Sequence, residues 1–324
     1  MHAAIQPPDG YRGRFAPSPT GALHFGSLVA ALASYLDARS RNGTWLLRIE
    51  DIDQARCIPG AADEIIRMLA DFALEWDEPI VYQSHATSQQ RYRQALERLT
   101  EQGLTYPCGC SRKEIADSSQ TGIEGPIYPG TCRAGLPPGK LPRAVRLRVA
   151  DGDFGCEDRV QGWVSQNLAQ QIGDFVLKRA DGVYSYQLAV VVDDAWQGIT
   201  DIVRGIDLLA STPRQLYLQR CLGAARPRYL HLPLAVNQYG LKLSKQNLAL
   251  PLRRDNASVA LVRALQFLGQ PLPDTAAHLP PCRELLHWAS AHWQADNIPR
   301  TTSIVAETVA SAPKNMIDSA GKLT

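Results

Sequence analysis

The sequence predicts an α/β protein: a parallel sheet covered by helices, with a smaller α+β subdomain inserted into it. Two observations carry this prediction. Near the N-terminus a strand, a turn, a helix and a second apolar strand follow one another, which is the order of a βαβ unit. Between residues 106 and 163 the helical periodicity stops, and isolated glycines, prolines and three cysteines accumulate. Hydrophobic residues at 45% and charged residues at 20% are typical of a globular chain.

The βαβ unit shows its elements in chain order. A short strand is predicted over residues 11–16, turn chemistry over 17–21, and a helix from about 25 to 41. Gly43 stands where a helix C-cap belongs, and the apolar run 45–49 suits a buried parallel strand. Ligands of such units bind beyond the carboxyl ends of the strands, so the turn after the first strand is a candidate binding site.

Further elements follow from spacing. Two helices are predicted around residues 65–76 and 92–99, the second opened by a capping box formed by Thr87 and Gln90. A strand at 175–178 precedes a hairpin-type turn at Asp181 and Gly182, which predicts that the apolar run at 184–192 is the second strand of a hairpin. The remaining predicted helices cover residues 212–221, 258–268 and 283–293.

The net charge and the number of cysteines indicate the cellular compartment and the class of partner to expect. The net charge of +2 gives no global field that would indicate a polyanion partner. One local basic cluster is either a solvated surface or a contact for a polyanion, and consists of Arg133, Lys140, Arg143, Arg146, Arg148 and Arg159. Residues 1–10 lack the apolar core of a signal peptide, and no window is apolar enough to span a membrane. Seven cysteines, an odd number, favour reduced thiols, so we expect a cytoplasmic protein without a membrane partner.

Two segments carry candidate chemistry. His24 stands at the start of the first helix, where free N–H groups and the helix dipole favour an anion, and the small Gly26 and Ser27 allow close approach. A lone histidine there could equally be a helix cap. Lys242 and Lys245 flank a serine in a polar turn and could neutralise a leaving phosphate group, although such lysines are often only solvated.

Together these segments resemble the HIGH-like and KMSKS-like signatures of class I aminoacyl-tRNA synthetases, here residues 24–27 and 242–246. Residues 14–21, 48–53, 203–205 and 211–215 are more specifically similar to the catalytic core of glutamyl-tRNA synthetases. The likeness runs in order from about residue 12 to residue 250. It implies a Rossmann-type nucleotide-binding catalytic domain that uses ATP with Mg²⁺ to activate L-glutamate as an acyl-adenylate.

The resemblance also implies roles for single residues. The implied catalytic residues are His24, Lys242 and Lys245, and the implied ATP-binding residues are His24, Gly26, Ser27 and Lys245. The implied glutamate-binding residues are Arg14, Ala16, Ser18, Glu50, Tyr186 and Arg204. Glu50 would hold the ammonium, and either arginine could take the side-chain carboxylate. Asp51 and Asp53 are more simply explained as local structure.

The inserted segment carries a candidate metal site. By themselves, Cys108, Cys110 and Cys132 are compatible with zinc or with packing, because the usual Cys-x-x-Cys pair is absent. A similar Cys-x-Cys…Tyr-x-x-x-Cys set occurs in the glutamyl-tRNA synthetases, which implies structural Zn²⁺ held by Cys108, Cys110, Tyr128 and Cys132. The remaining cysteines are expected to be packing residues, namely Cys57, Cys156, Cys221 and Cys282.

The resemblance divides the chain into five parts. Residues 1–104 and 166–255 form the two halves of the catalytic domain, 105–165 the zinc-binding insert, 256–294 a short helical stem, and 295–324 a flexible tail. Only 78 residues follow Gln246, and about thirty of them have the composition of a tail. What remains is too short for a compact anticodon-reading domain, which is typical of a truncated branch of the family. That branch esterifies glutamate to the queuosine base of tRNA(Asp), so we expect a monomer whose partner is the anticodon stem-loop.

Two alternatives remain open on the sequence. The chain could charge the 3′ end of a tRNA like a full-length synthetase that has lost its anticodon domain. It could also be an inactive relative that only binds an amino acid or a tRNA. The presence of Arg14, His24, Glu50, Arg204 and Lys245 disfavours the inactive relative.

Overall fold

The computed structural model describes residues 10–122, 125–243, 252, 254–274 and 279–306. Its helices are α1 (Phe25–Arg39), α2 (Ala61–Asp71), α3 (Ala86–Glu101), α4 (Arg112–Ser118), α5 (Leu168–Gln171), α6 (Tyr186–Trp196), α7 (Thr212–Leu222), α8 (Ala257–Phe267) and α9 (Cys282–Ala291). Its first seven strands are β1 (Arg12–Phe15), β2 (Thr44–Ile49), β3 (Val81–Tyr82), β4 (Thr105–Cys108), β5 (Thr121–Gly122), β6 (Gly125–Pro126) and β7 (Ala144–Leu147). The others are β8 (Asp153–Asp158), β9 (Gly162–Asn167), β10 (Val176–Lys178), β11 (Asp201–Gly205), β12 (Arg228–Leu232), β13 (Leu234–Val236) and β14 (Ser303–Val305).

The predicted βαβ unit is present, because β1 and β2, which precede and follow α1 in the chain, pair with each other in parallel. The expected C-cap role of Gly43 is wrong, since α1 is capped at Ser40 and the left-handed residue is Asn42, with φ 52°. Gly43 is required for a different reason. A Cβ there would lie 2.7 Å from the carbonyl oxygen of Tyr11, so only glycine lets the turn pass this close to β1.

The parallel arrangement continues beyond the first unit. β3 adds to β2 in parallel, and β11 pairs in parallel with β12. The two sets meet at β1, where the N–H of Thr200 donates to the carbonyl of Arg12 at 2.9 Å. Helix α1 packs against these strands on one side, and α8 and α9 pack on α1 in the same apolar core. The carboxyl ends of β1 and β11 therefore open toward the same region.

The strands of the predicted insert belong to three sheets, of which the smallest is the β5–β6 pair. β4, β7 and β10 form a small antiparallel sheet, in the order β10-β7-β4. The hairpin β8–β9 lies within the predicted range 105–165 except for the last two residues of β9, yet β8 pairs with β12 through Asp158 and Tyr229. This hairpin therefore belongs to the larger sheet, and β10 joins the sheet of β4 and β7 although it follows the predicted range.

Two local predictions are wrong. The apolar run at 184–192 does not form a strand: it begins α6, which the Ser185 hydroxyl caps by accepting from the N–H of Leu188 at 3.4 Å. Its three consecutive valines are buried, so packing overrides their preference for strands. The capping box of Thr87 and Gln90 is also absent, because α3 starts at Ala86 with no side-chain cap.

The C-terminal segment contains more order than predicted. Residues 295–306 include β14, which pairs in parallel with β13, and the side chain of Ile298 is buried. The prediction of a flexible tail from residue 295 is therefore wrong for this stretch, and residues 307–324 lie outside the described residues. Within the described part of the chain, none of the helices has the length and apolar character needed to cross a membrane.

Candidate active site

The mouth of α1 is built as the sequence predicts. His24 is the N-cap, and its Nδ1 accepts from the N–H of Ser27 at 3.3 Å. A Cβ at Gly26 would lie 3.2 Å from Cε1 of the His24 ring, so glycine leaves room for the imidazole in this position. The two proposed roles of His24 are therefore compatible, since the capping ring stands at the positive end of the helix.

A cavity of about 410 Å³ opens at this helix end. It is lined by His24, Gly26 and Ser27 on one side and by Gly205, Asp207 and Lys242 on the other. Its walls thus come from the carboxyl ends of β1 and β11, which is where an open α/β sheet binds nucleotides.

Lys242 reaches the cavity and forms an ion pair with Asp207. Asp207 lies two residues after Gly205, where a Cβ would lie 2.5 Å from a carboxylate oxygen of Asp207, so a side chain at position 205 would displace this carboxylate. Lys245, the second predicted lysine, lies outside the described residues. Asp207 was not among the predicted site residues, although its place two residues after the Val-Arg-Gly segment was a usable signal.

A second cavity, of about 190 Å³, adjoins the first and shares Ser18 and Thr20 with it. Glu50 and Tyr186 line this second cavity, whereas Ala16 lines only the first. Four of the six predicted glutamate-binding residues therefore lie around two adjoining cavities.

The two predicted arginines are buried close to these cavities. Arg14 is 4% exposed, and its Nε donates to Oδ1 of Asp194 at 3.0 Å. Asp194 also accepts from Nη1 of Arg48 at 2.8 Å. Burial raises the pKa of Asp194, but the two arginines outweigh it and hold that pKa below its ordinary value. The charge of Arg14 is thus already balanced inside the protein.

Arg204 has different surroundings. Its Nε donates to Nε2 of His231 at 3.0 Å, and its Nη2 donates to the Thr212 hydroxyl at 2.8 Å. Its Nη1 points to the Tyr186 hydroxyl at 3.5 Å, and Nη2 also contacts the carbonyl of Leu208 at 3.3 Å. Burial lowers the pKa of His231 to about 4, so the imidazole is neutral. Every hydrogen-bond partner of Arg204 among the described residues is therefore uncharged.

Glu50 is one of two carboxylates that line the second cavity, and Asp53 is the other. Nη2 of the fully buried Arg48 donates to the carboxylate of Glu50 at 3.2 Å. Burial nevertheless raises the pKa of Glu50 above the ordinary 4.5, against the effect of Arg48 and Arg14. The ionised form of Glu50 would be stabilised by a cationic ligand, because the positive charge would offset the cost of burying the carboxylate that the two arginines leave uncompensated.

Asp51 and Asp53 both make contacts that order the structure, but Asp53 also lines the second cavity, so their explanation as local structure stays a prediction. Asp51 accepts from the N–H of Ser84 at 2.8 Å, and Asp53 accepts from Arg179 at 2.6 Å. The sequence analysis missed Asp194, although two successive aspartates after three buried valines are unusual enough to indicate buried ion pairs.

The predicted metal ligands come together. The sulfur atoms of Cys108, Cys110 and Cys132 lie within 4.8 Å of one another, and those of Cys110 and Cys132 are 3.6 Å apart. The Tyr128 hydroxyl lies 3.4 Å from the sulfur of Cys108 and 3.8 Å from that of Cys110. Two sulfurs bound to one tetrahedral zinc at ~2.3 Å are roughly 3.8 Å apart, so this donor set fits zinc.

The other four cysteines belong to no group of three or more potential metal ligands among the described residues, and they are half-buried or buried. They are Cys57, Cys156, Cys221 and Cys282.

The basic cluster does not form one free surface. Arg146 is buried and stacks on the Tyr128 ring, and Arg159 donates to Asp37 at 2.5 and 2.8 Å, on the first helix. These two arginines are structural, because their charges are used inside the fold. The remaining four are at least partly exposed, namely Arg133, Lys140, Arg143 and Arg148.

Comparison with known proteins settles the family. A family model described as "tRNA synthetases class I (E and Q), catalytic domain" matches residues 11–276. The chain belongs to this class I synthetase family. The predicted resemblance is thereby confirmed, and the cavity at the mouth of α1 lies inside the catalytic domain of a class I synthetase.

Curated relatives narrow the comparison. A protein of Dechloromonas aromatica named glutamyl-Q tRNA(Asp) synthetase is 57% identical over 297 residues, covering 91% of this chain and 98% of the relative. A protein of the same name from Chromobacterium violaceum is 55% identical and covers 89% of this chain and 95% of its own. One from Burkholderia cenocepacia is 60% identical over 80% of this chain and 88% of its own.

Solved structures support the fold of this class I synthetase. The glutamate-tRNA synthetase of Elizabethkingia anophelis superposes with a TM-score of 0.75 at 23% identity, over 93% of this chain and 69% of that chain. The methionyl-tRNA synthetase of Mycobacterium tuberculosis gives a TM-score of 0.51 at 11% identity, over 82% and 65%.

Proposed function

We propose that this protein activates L-glutamate with ATP, without tRNA, and transfers the glutamyl group to the queuosine base of tRNA(Asp). The observation that carries the proposal is Arg204, a buried cation with neutral partners, placed beside two adjoining cavities at the mouth of α1. The relatives named glutamyl-Q tRNA(Asp) synthetase match this chain along nearly their whole length, which supports the choice of acceptor.

In this proposal Arg204 binds the side-chain carboxylate of glutamate. A guanidinium with uncharged partners can gain a full charge-assisted pair from an incoming carboxylate. Arg14 already shares Asp194, so it is better suited to orient the α-carboxylate than to select for it. Glu50 takes the ammonium, and the Tyr186 hydroxyl beside Nη1 of Arg204 completes the carboxylate contact.

ATP occupies the larger cavity. The free N–H groups of α1 and the His24 ring would face its phosphates, and Mg²⁺ would accompany the nucleotide. A glutamate carboxylate oxygen attacks the α-phosphorus, the bond to the bridging oxygen breaks, and pyrophosphate leaves. Lys242 and Lys245 would neutralise that leaving group. A hydroxyl of the acceptor base then attacks the acyl carbon, AMP leaves, and the hydroxyl proton passes to solvent or phosphate.

We further propose that the Cys108, Cys110, Tyr128 and Cys132 set holds a structural Zn²⁺ that fixes the insert. The fit rests on the spacing of the four donor atoms. Zinc would require these groups to be deprotonated, and hydrogen bonds from Tyr128 and Arg146 favour this at Cys108, whose pKa they lower to about 7 against the effect of burial.

The anticodon stem-loop is the proposed tRNA contact, and the exposed members of the basic cluster are its candidate binding surface. Arg143 is exposed, and Arg133 and Arg148 lie nearby on the same segment. Since ATP and tRNA are cytoplasmic, we place the reaction in the cytoplasm.

The decisive experiment incubates the enzyme with radiolabelled glutamate, ATP and queuosine-containing tRNA(Asp), then digests the tRNA with nuclease to locate the label. Label on the anticodon fragment is expected. Label on the 3′-terminal adenosine would mean an acceptor-end synthetase. Glutamate-dependent pyrophosphate exchange without tRNA, lost in His24→Ala, is the companion assay, and its absence in the wild type would indicate an inactive relative.

A further inference from the structure

Three buried polar side chains form a hydrogen-bonded chain that ends at Arg204. Asp158 at the end of β8 contacts Nδ1 of His231 on β12 at 2.6 Å, and Nε2 of His231 contacts Nε of Arg204 on β11 at 3.0 Å. Asp158, His231 and Arg204 are 2%, 0% and 5% exposed. None of the predicted site residues except Arg204 belongs to this chain of contacts.

The proton positions follow from the chemistry of the groups. Nε of an arginine carries a hydrogen and can only donate, so Nε2 of His231 must accept. The other ring nitrogen, Nδ1, must then carry the hydrogen of the neutral imidazole and donate it to Asp158. Only one tautomer of His231 therefore satisfies both contacts, and the low pKa that burial gives His231 agrees with a neutral ring.

Asp158 is fixed by the backbone. Its Oδ1 accepts from the N–H groups of Val160 at 3.1 Å, Gln161 at 2.9 Å and His231 at 3.2 Å. Its Oδ2 is thereby left for Nδ1 of His231. The turn between β8 and β9 thus determines the orientation of the carboxylate, which in turn determines the tautomer of the histidine.

We propose that Asp158 and His231 are positioning residues. They hold the Arg204 guanidinium at the position and in the orientation that bind the side-chain carboxylate of glutamate. Nε is held by His231, and Nη2 by Thr212 and Leu208, which directs Nη1 toward Tyr186 and the second cavity. An arginine held on two sides loses little freedom when its ligand arrives. This inference rests on the proposed function, because it assumes that Arg204 receives glutamate.

The substitution Asp158→Asn tests the proposal, because it changes the hydrogen-bonding groups of the side chain and leaves its shape almost unchanged. Three backbone N–H groups keep an acceptor at Oδ1, so the new amide NH₂ must stand at Oδ2 and donate to Nδ1 of His231. The histidine is then forced into the opposite tautomer, and its Nε2–H faces the Nε–H of Arg204. A comparable loss of the correct tautomer is known to disable a catalytic histidine.

In pyrophosphate exchange, the KM for glutamate is expected to rise at least about tenfold in Asp158→Asn, the usual scale for loss of a supporting hydrogen bond, while the KM for ATP stays within about twofold. Asp201→Asn is the matched control. Asp201 is 1% exposed on β11 and pairs with Arg228, so its loss perturbs the same sheet without touching His231. A KM for glutamate that rises equally in both variants would overturn the inference.

Nitrogen-15 NMR of labelled histidine provides a readout that needs no activity, and its decisive measurement is made on the wild type alone. Wild-type His231 is expected as the Nδ1–H tautomer at neutral pH, and Asp158→Asn as the Nε2–H tautomer. A cationic or Nε2–H ring in the wild type would overturn the inference. If the proposed function is wrong, the wild type would show no glutamate-dependent pyrophosphate exchange. The assignment of Arg204 to glutamate would then be wrong as well.

Discussion

Arg14 and Arg204 lie on neighbouring strands and are nearly equally buried, yet they differ in what surrounds their charge. Asp194 balances Arg14, whereas Arg204 contacts only neutral groups within the described part of the chain. A buried cation without a counter-ion is unfavourable unless a ligand supplies one. This difference separates two arginines that the sequence alone left equivalent, and it makes Arg204 the residue that should discriminate glutamate from its amide.

Arg204→Lys is expected to raise the KM for glutamate by about 100-fold with little change in the KM for ATP. Lysine keeps the charge but loses Nε and the planar fork, and each lost charge-assisted contact is worth roughly 1.5–3 kcal/mol. The measurement is pyrophosphate exchange at varied glutamate. Arg228→Lys, on the neighbouring strand with its side chain half-exposed against Asp201, serves as the control and should behave as wild type.

The role proposed for Glu50 predicts that the KM for glutamate depends on pH. Because burial raises its pKa above 4.5, the carboxylate becomes neutral at a higher pH than an ordinary glutamate, and a neutral group holds an ammonium poorly. The KM for glutamate should therefore rise as the pH falls from about 8 to about 5. Glu50→Gln should show a high KM that no longer changes with pH. A wild-type KM that is flat across this range would contradict the assigned role.

At the scale of secondary-structure elements, the sequence predicts the features that depend only on residues close together in the chain. The β1–turn–α1 unit was predicted because its turn, its cap and its apolar periodicity lie within a few residues of one another. Helix α6 was not, because its valines favour strands and only burial on all sides makes them helical. The Arg14–Asp194 pair joins residues 180 positions apart, and no local pattern specifies that separation.

The turn between α1 and β2 supplies a stability prediction. Gly43→Ala should cost at least about 2 kcal/mol, since the new Cβ would lie 2.7 Å from both Cβ and the carbonyl oxygen of Tyr11. Urea unfolding measures the change. Gly60→Ala is the comparison, because that residue has φ +78° but open space, so only backbone strain of ~1 kcal/mol applies. Equal losses in both variants would contradict the role given to the close contact.

The insert supplies a metal prediction. Wild-type protein is expected to carry about one zinc per chain, and Cys132→Ser to carry much less and to melt at a lower temperature, because a tetrahedral site loses affinity with each thiolate. Elemental analysis by mass spectrometry gives the stoichiometry. Cys221→Ser should keep its zinc, since Cys221 lies outside the cluster. Tyr128→Phe tests the fourth ligand, and full zinc affinity in that variant would exclude the phenol.

At the scale of the whole molecule, Asp37 joins segments from three parts of the chain. It accepts from the Tyr11 hydroxyl at 2.6 Å, from Arg159 at 2.5 and 2.8 Å, and from Nε1 of Trp293 at 3.0 Å. The side chain is fully buried on α1, so the C-terminal helices and the segment after β8 are anchored to one carboxylate. Both the site and the C-terminal region depend on this anchor.

Asp37→Asn is expected to destabilise the protein by about 3 kcal/mol at neutral pH, because it leaves Arg159 without its charged partner. Burial raises the pKa of Asp37, but Arg159 and the other donors hold it below the ordinary 3.8. The stabilisation is therefore present above that value and is lost as the pH falls through the depressed pKa. Urea unfolding at several pH values measures the difference, which should shrink in acid. The exposed pair of Glu75 with Arg283 is the control, and Glu75→Gln should cost no more than ~0.5 kcal/mol.

The position of β1 has a consequence for synthesis of the chain. Among the described strands it is synthesised first, and its partners on the two sides are β2, close behind it, and the Thr200 segment that leads into β11. Arg12 and Thr200 are 188 residues apart. At roughly 5–20 residues per second, β1 waits about 10–40 s with one edge unpaired. An unpaired edge can recruit a strand from another chain, so the nascent first half is the stage at which this protein is most exposed to aggregation.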